Sequence, residues 1–327
     1  MDVFRKITGT RLEDIYNLML AKGWTLGAGA GLRMMHGVIR LYHGKGVKLL
    51  KEHWTHSKPD LVVSLVPNFN RALWESLRAV LPDVPYVTIL TDFADYPPHF
   101  WIERQDQFFI CGTEKAVQQA RTLGHPDSHI FPTSGMILRP RFYDPVNVDR
   151  AAERTRLGLD PSKPTGLVLF GGQGSNVMLH IAEKLRDRQL IFICGRNENL
   201  AAKLRVRKAP HYVEGFTSEV PYYMHLADYF IGKPGPGSIS EAVAMKLPVI
   251  VECNAWTLPQ ERYNTEWVLE KGVGIVLPNF RGIRAAADAM LGSLEKYQAN
   301  VAKIENRAVF EIPDILERLL VSVRTEP

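Results

Sequence analysis

The stretch that most limits how this chain can fold is Ile231-Gly232-Lys233-Pro234-Gly235-Pro236-Gly237-Ser238-Ile239-Ser240-Glu241. Residues 229–231 read as a short apolar strand, and Ile239, Ala242, Val243 and Met245 then recur with a helical period. Between them lies a turn built from Gly232, Pro234, Gly235, Pro236 and Gly237. Such a turn lets backbone approach a ligand without interference from Cβ, and the helix start offers free N–H groups and a positive dipole end. That combination suits a diphosphate. The same stretch has a second reading. Ser238 and Glu241 have the spacing of a capping box, in which Glu241 would only satisfy its own helix start.

The rest of the chain alternates strands and helices. Residues 61–66, 86–90 and 108–111 read as buried strands, with an edge-like piece at 130–133 and helices over 70–81 and 113–123. Four prolines punctuate residues 139–164, where a single short helical pattern covers 149–157, and the domain linker is placed there. A second series follows, with strands at 167–170, 190–194, 212–213, 229–231, 249–252 and 274–277. Its helices fall over 176–186, 199–205, 220–226, 260–271 and 282–294, with one more after the opening loop. This rhythm predicts α/β domains with parallel sheets, whose ligands sit beyond the carboxyl ends of the strands. The expected division is 1–145, 146–310 and a C-terminal helix over 311–327 near the domain junction.

Composition excludes several classes. At 327 residues, 46% of them hydrophobic, the chain has material for about two cored domains. The three cysteines, Cys111, Cys194 and Cys253, lack zinc or redox spacing and read as free thiols in a reducing compartment. No stretch reaches the roughly 18 apolar residues of a spanning helix and no signal-peptide pattern opens the chain, so a cytoplasmic protein is expected. A net charge of +5 favours anionic partners without choosing among them. Over 32–54, Arg33, Arg40, Lys45, Lys48 and Lys51 are interleaved with apolar residues, as in a helix lying on an anionic bilayer. Gly37, Gly44 and Gly46 weaken that helix, and an ordinary amphipathic helix with a solvated basic face accounts for it equally well. Upstream, residues 12–22 look helical and the glycine run at 27–31 reads as a flexible connector.

A second glycine turn, Gly171-Gly172-Gln173-Gly174-Ser175, follows the strand at 167–170. Two such turns in one domain, with Glu241 placed to accept ribose hydroxyls, indicate a nucleotide site. The turn at 171–174 does not supply the G-x-G-x-x-G of a dinucleotide fold, and no P-loop is present.

Residues 167–278 resemble the C-terminal, donor-binding half of glycosyltransferase family 28, in the branch of the monogalactosyldiacylglycerol synthases and bacterial diacylglycerol glycosyltransferases. The matching pieces are Gly171 to Gly174, Ile193-Cys194-Gly195-Arg196-Asn197, Val213-Glu214-Gly215-Phe216, the Lys233 to Ala242 loop, and Gln260-Glu261 with Asn264. Thr91-Asp92 and His99-Phe100-Trp101 extend the likeness into the first half, so that it covers roughly 58 to 320. The resemblance implies a GT-B architecture, two doubly wound Rossmann-like domains facing a cleft. A UDP-sugar would be the co-substrate and a diacylglycerol-type lipid the acceptor, held by the N-terminal domain at a membrane surface, with no nucleic acid partner. By this likeness Glu241 meets the ribose, Gly237, Ser238 and the Gly172 turn the diphosphate, the backbone near Gly215 and Phe216 the uracil, and Gln260 and Glu261 the sugar hydroxyls. Gly171, Gln173, Arg196 and Pro236 complete the site.

No Asp-x-Asp is present, so no metal or other cofactor is expected, and leaving-group charge falls to helix dipoles and backbone N–H groups. An acceptor hydroxyl needs a general base. The family's opening strand and glycine-rich loop with a His have no counterpart here, and the first domain is expected to lack them. Asp92 is the candidate base or base-orienting group, with a cap or loop role as the plain alternative. His36, His43, His53, His56 and His99 are too scattered to assign. Two other functions stay open: a non-catalytic UDP-binding remnant, and a UDP-sugar epimerase on the same fold.

Overall fold

The computed structural model describes residues 28–325. The helical pattern at 12–22 and the expectation of a missing opening strand fall outside the described residues. The chain forms two compact units. One takes the described residues up to Ile137, with Leu258–Gln260 and the tail from Arg307; the other takes Leu138–Thr257 and Glu261–Asn306.

The first unit is built on a parallel sheet in the order β1 (Val62–Ser64), β2 (Tyr86–Ile89), β3 (Phe108–Cys111), β4 (Ile130–Pro132). The piece expected at an edge, β4, is an edge strand. Every residue of β2 is buried, so the sheet needs cover on both faces. The C-terminal helix Ala308–Thr325 supplies one cover: Ala308, Ile312, Ile315 and Leu319 recur at helical spacing and pack on Val87, Ile89 and Ile110. The helices α1 (Ala28–Ser57) and α2 (Asn70–Arg78) form another cluster, in which Leu50 and Trp54 meet Ala72, Leu77 and Tyr86. The Trp54 indole also donates to Ser76 Oγ at 2.9 Å.

That anchorage corrects one expectation. Residues 28–31 begin α1 and are not a flexible connector, and the helix runs unbroken through Gly37, Gly44 and Gly46. Gly44 and Gly46 cost helix propensity, but burying Leu50 and Trp54 outweighs it: full burial of one such side chain is worth about 1.5–3 kcal/mol against about 1 per glycine.

The second unit has six parallel strands: β5 (Thr165–Leu169), β6 (Gln189–Ile193), β7 (His211–Glu214), β8 (Tyr229–Gly232), β9 (Val249–Glu252) and β10 (Gly274–Leu277). Their order is β10-β9-β8-β5-β6-β7. The winding therefore starts at β5, runs out through β6 and β7, and returns to place β8 on the other side of β5, with Leu169 beside Gly232. The β5–β8 pair is the switch point at which a doubly wound sheet opens a crevice. Two elements differ from the sequence pattern. The helix expected over 260–271 is a 3-10 turn, Pro259–Glu261, followed by α-helix Arg262–Glu270, and a separate helix, Leu294–Ala302, follows Ile283–Gly292.

All three cysteines are free, and burial pushes the Cys111 and Cys194 thiols up to about 12 and about 11. Among the described residues no helix is long and apolar enough to cross a membrane.

Candidate functional site

Nearly all of the sequence-derived binding residues lie in the second unit just past strand carboxyl ends. Gly171, Gly172 and Gln173 follow β5, Arg196 follows β6, Gly215 and Phe216 follow β7, and Pro236, Gly237 and Ser238 follow β8. Because β5 and β8 are neighbours, the two glycine turns flank the switch point.

The turn after β5 is pinned from β6. The Arg196 N–H donates to the Gly172 carbonyl at 2.9 Å, and Asn197 Nδ2 donates to the Gln173 carbonyl at 3.3 Å. Gly195 has φ of +59°, and a Cβ there would run into the Gly172 backbone. Gly172 itself has open space where a Cβ would sit. The Arg196 guanidinium lies 4.9 Å from the centroid of the Phe216 ring, which is 60% exposed, so a flat aromatic and a cation sit beside the turn.

After β8, helix Pro236–Ala244 begins with Gly235 as its N-cap and Pro236 at its first position. The first helical bond is Ile239 N–H to the Gly235 carbonyl, at 3.1 Å. The N–H groups of Gly237 and Ser238 are left without acceptors among the described residues, aligned with the positive end of the helix. The capping-box reading is thereby set aside. Ser238 is the third residue inside the helix and Glu241 belongs to its second turn. The half-buried Glu241 carboxylate makes no hydrogen bond or ion pair among the described residues. Burial pushes its pKa up to about 7, against the opposing pull of the Arg139 charge.

Sequence reasoning left Lys233 without a role. Its Nζ lies 3.2 Å from Glu261 Oε1, and its Cε passes 3.8 Å from where a Cβ on Gly171 would stand. Only its place within the loop motif could have flagged it. Asn264, fully buried, donates to the Pro234 carbonyl at 2.8 Å and fixes the loop backbone. Gln260 sits in the Pro259–Glu261 turn and groups with the first unit.

Asp92 also belongs to the first unit, in the loop after β2, where its Oδ2 accepts the Trp101 indole N–H at 2.8 Å. The same loop is held by buried Asp95, whose carboxylate accepts the N–H groups of His99 and Trp101 at 3.1 and 2.6 Å. Two of the scattered histidines prove to share a wall. His43 and His99 line a cavity of about 620 Å³ with Ile39, Arg40, Arg71 and Trp74. There His43 Nε2 lies 2.6 Å from the Glu75 carboxylate, which also accepts Arg71 Nε at 2.8 Å. Among the described residues no three His, Cys, Asp or Glu side chains are grouped to hold a metal ion.

Residues 167–318 match the glycosyltransferase family 28 C-terminal domain. These residues form a glycosyltransferase family 28 C-terminal domain. Relatives match beyond this domain. The probable monogalactosyldiacylglycerol synthase 2, chloroplastic, of Oryza sativa subsp. japonica is 29% identical over 284 residues, covering 80% of this chain and 59% of its own length. Monogalactosyldiacylglycerol synthase 3, chloroplastic, of Arabidopsis thaliana is 28% identical over 342 residues, covering 95% of this chain and 72% of its own. The chain thus spans about three fifths of the rice relative, and 43% of Arabidopsis monogalactosyldiacylglycerol synthase 1. Among solved structures, Acinetobacter baumannii MurG matches with a TM-score of 0.60 at 12% identity, over 85% of this chain and 80% of its own. S. aureus MnaA, solved with UDP, matches at 0.58 and 14%, over 82% and 76%. These share the fold, the parallel α/β plan of the GT-B class.

Proposed function

We propose that the chain is a metal-independent glycosyltransferase that moves a hexose from a UDP-sugar to a diacylglycerol-type lipid at a membrane surface. The observation that carries this reading is the pairing of two glycine turns across the β5–β8 switch point, with the unfilled N–H groups of Gly237 and Ser238 and the Lys233 ammonium beside them. A diphosphate fits donors of that kind. Glu241 is the ribose acceptor in this reading, Phe216 offers its face to the base, and Gln260 and Glu261 meet sugar hydroxyls. The relatives' names supply the galactolipid class, and the first-unit cavity is the seat for the acceptor's polar head. Asp92, oriented by Trp101, is the base candidate, and no cofactor beyond the UDP-sugar is invoked.

The decisive experiment is calorimetry with UDP followed by transfer from UDP-[¹⁴C]hexose to diacylglycerol liposomes. Binding with turnover is expected. Binding without turnover makes the chain a UDP-binding remnant, and conversion of the UDP-sugar with lipid left unlabelled makes it an epimerase. Glu241→Ala is expected to weaken UDP binding by about 1.5–3 kcal/mol, the worth of a hydrogen bond to a charged group.

Glu241 also sets a pH dependence. Its folded pKa of about 7 exceeds the ordinary 4.5, so in the free chain its contribution to stability is complete below pH 4.5 and is lost as pH rises through about 7. Ribose hydroxyls donate to the ionised form, so binding should strengthen across the same interval. Uridine is the probe of choice, because a terminal phosphate titrates near pH 6 itself. Its affinity should rise from about pH 6 to about pH 8 in the native chain and stay flat in Glu241→Gln.

The basic helix gives a further test. Arg40, Lys45, Lys48 and Lys51 are exposed on α1, and Leu41 beside them is 79% exposed. Neutralising Arg33, Arg40, Lys45 and Lys48 together should cut binding to phosphatidylserine liposomes more than about tenfold at low salt, with a smaller loss at high salt. An unchanged partition removes the membrane role from α1.

A further inference from the structure

The cation best placed to neutralise a diphosphate is already engaged. Lys233 Nζ pairs with Glu261 Oε1 at 3.2 Å, and this is the only hydrogen bond or ion pair of that carboxylate among the described residues. The two partners are unequal. Glu261 is 7% exposed and fixed at the start of a helix, whereas a third of the Lys233 side chain is open to solvent. Asn264 holds the loop backbone through the Pro234 carbonyl, so the four-carbon stem of Lys233 is what remains free to swing.

Resting on the donor-site reading above, we infer that Lys233 and Glu261 form a charge lock that couples recognition of the diphosphate to recognition of the sugar. Two anions compete for one ammonium. When a diphosphate draws Lys233 towards the Gly171 turn, Glu261 is left as a nearly buried carboxylate without a partner, which is unfavourable. The hydroxyls of an attached hexose compensate it; UDP alone offers none. The lock therefore selects the sugar nucleotide over free UDP. Once the hexose has left, Glu261 recaptures Lys233 and helps to expel the UDP product. Lys233 and Glu261 act here as specificity-determining residues, with Asn264 as the positioning residue beneath them.

The test is calorimetry of UDP, UDP-glucose and UDP-galactose against the native chain, Glu261→Gln, Lys233→Met and the double variant. A structural role alone would make every variant bind less. The lock requires Glu261→Gln to bind UDP more tightly, by about three- to tenfold for the loss of one partly exposed ion pair, while its preference for UDP-hexose over UDP collapses. Lys233→Met should weaken all three ligands, and on that background Glu261→Gln should no longer tighten UDP. A folded Glu261→Gln that binds UDP no better than the native chain overturns the lock, as does tightening that persists without Lys233. If Glu261→Gln does not melt cooperatively, Glu261→Asp, too short to reach Lys233, carries the same expected tightening. Failure of the native chain to bind UDP at all overturns the donor-site reading itself, and the lock with it.

Discussion

Gly195→Ala should abolish UDP binding and lower the stability of the second unit by about 3 kcal/mol or more. Two costs combine. The left-handed backbone at φ +59° costs a residue with a Cβ about 1–2 kcal/mol. The new Cβ would also overlap the Gly172 backbone, and overpacking against atoms that cannot turn aside adds about 1–3 kcal/mol. Relief means moving the turn after β5 away from the switch point, together with the Arg196 N–H bond to the Gly172 carbonyl. Gly172→Ala is the matched control. A Cβ there meets nothing in the free protein, and the residue lacks a left-handed φ, so its melting temperature should hardly change. If the diphosphate rests on that turn, the same methyl group intrudes on the ligand and UDP binding should fall at least tenfold. Native UDP affinity in Gly172→Ala would show that the ligand does not approach the β5 turn.

The second large effect is structural and lies away from the ligand. Asp228 accepts from Arg150 Nη2 at 2.7 Å, from Arg154 Nη2 at 2.6 Å and from the Thr165 N–H at 2.7 Å. Arg154 is 5% exposed and also donates through Nε to the Leu226 carbonyl at 2.8 Å. Burial draws the Arg154 guanidinium below its ordinary value, and the Asp228 charge opposes that. The cluster ties helix Arg150–Arg156 to the start of β5 and to the chain just before β8, so it sets the two strands that flank the switch point. Asp228→Ala leaves a buried guanidinium unpaired and should cost about 3–5 kcal/mol, lowering the melting temperature by roughly 10 °C. Lys163→Ala, which breaks the exposed pair with Asp160, should stay within about 0.5 kcal/mol. A similar loss in both variants, read by thermal melting, would rule out burial as the source of the difference.

Much of the second unit was legible because its local signals agree. Buried strands appear as continuous apolar runs, glycine and proline mark the turns, and polar spacing marks the helix starts; the strands at 249–252 and 274–277 match the observed ones residue for residue. The misreadings occur where a tertiary contact or a competing local signal overrides the one that was read. The glycines of α1 read as weakening, yet the helix is held because its Leu50 and Trp54 pack against Ala72 and Leu77 of α2. Ser238 and Glu241 have capping-box spacing, yet Pro236, already set at a helical φ, starts the helix three residues earlier than that spacing implies. Lys233 carried no signal of its own beyond its place in the motif.

By itself, then, the sequence determined two parallel α/β series, the glycine turns at 171–174 and 232–237, and Glu241 as a lone acid behind the second turn. Each of these depends on residues close together in the chain, and local periodicity and turn chemistry suffice to read them. Only the tertiary structure decided that the two turns are neighbours, since more than 50 residues separate them and the strand order β10-β9-β8-β5-β6-β7 alone brings them together. Only the tertiary structure placed Lys233 against Glu261, joined His43 and His99 in one cavity wall, and buried Glu241 enough to move its pKa to about 7. Desolvation and long-range pairing arise when distant segments pack together, and no local pattern records them.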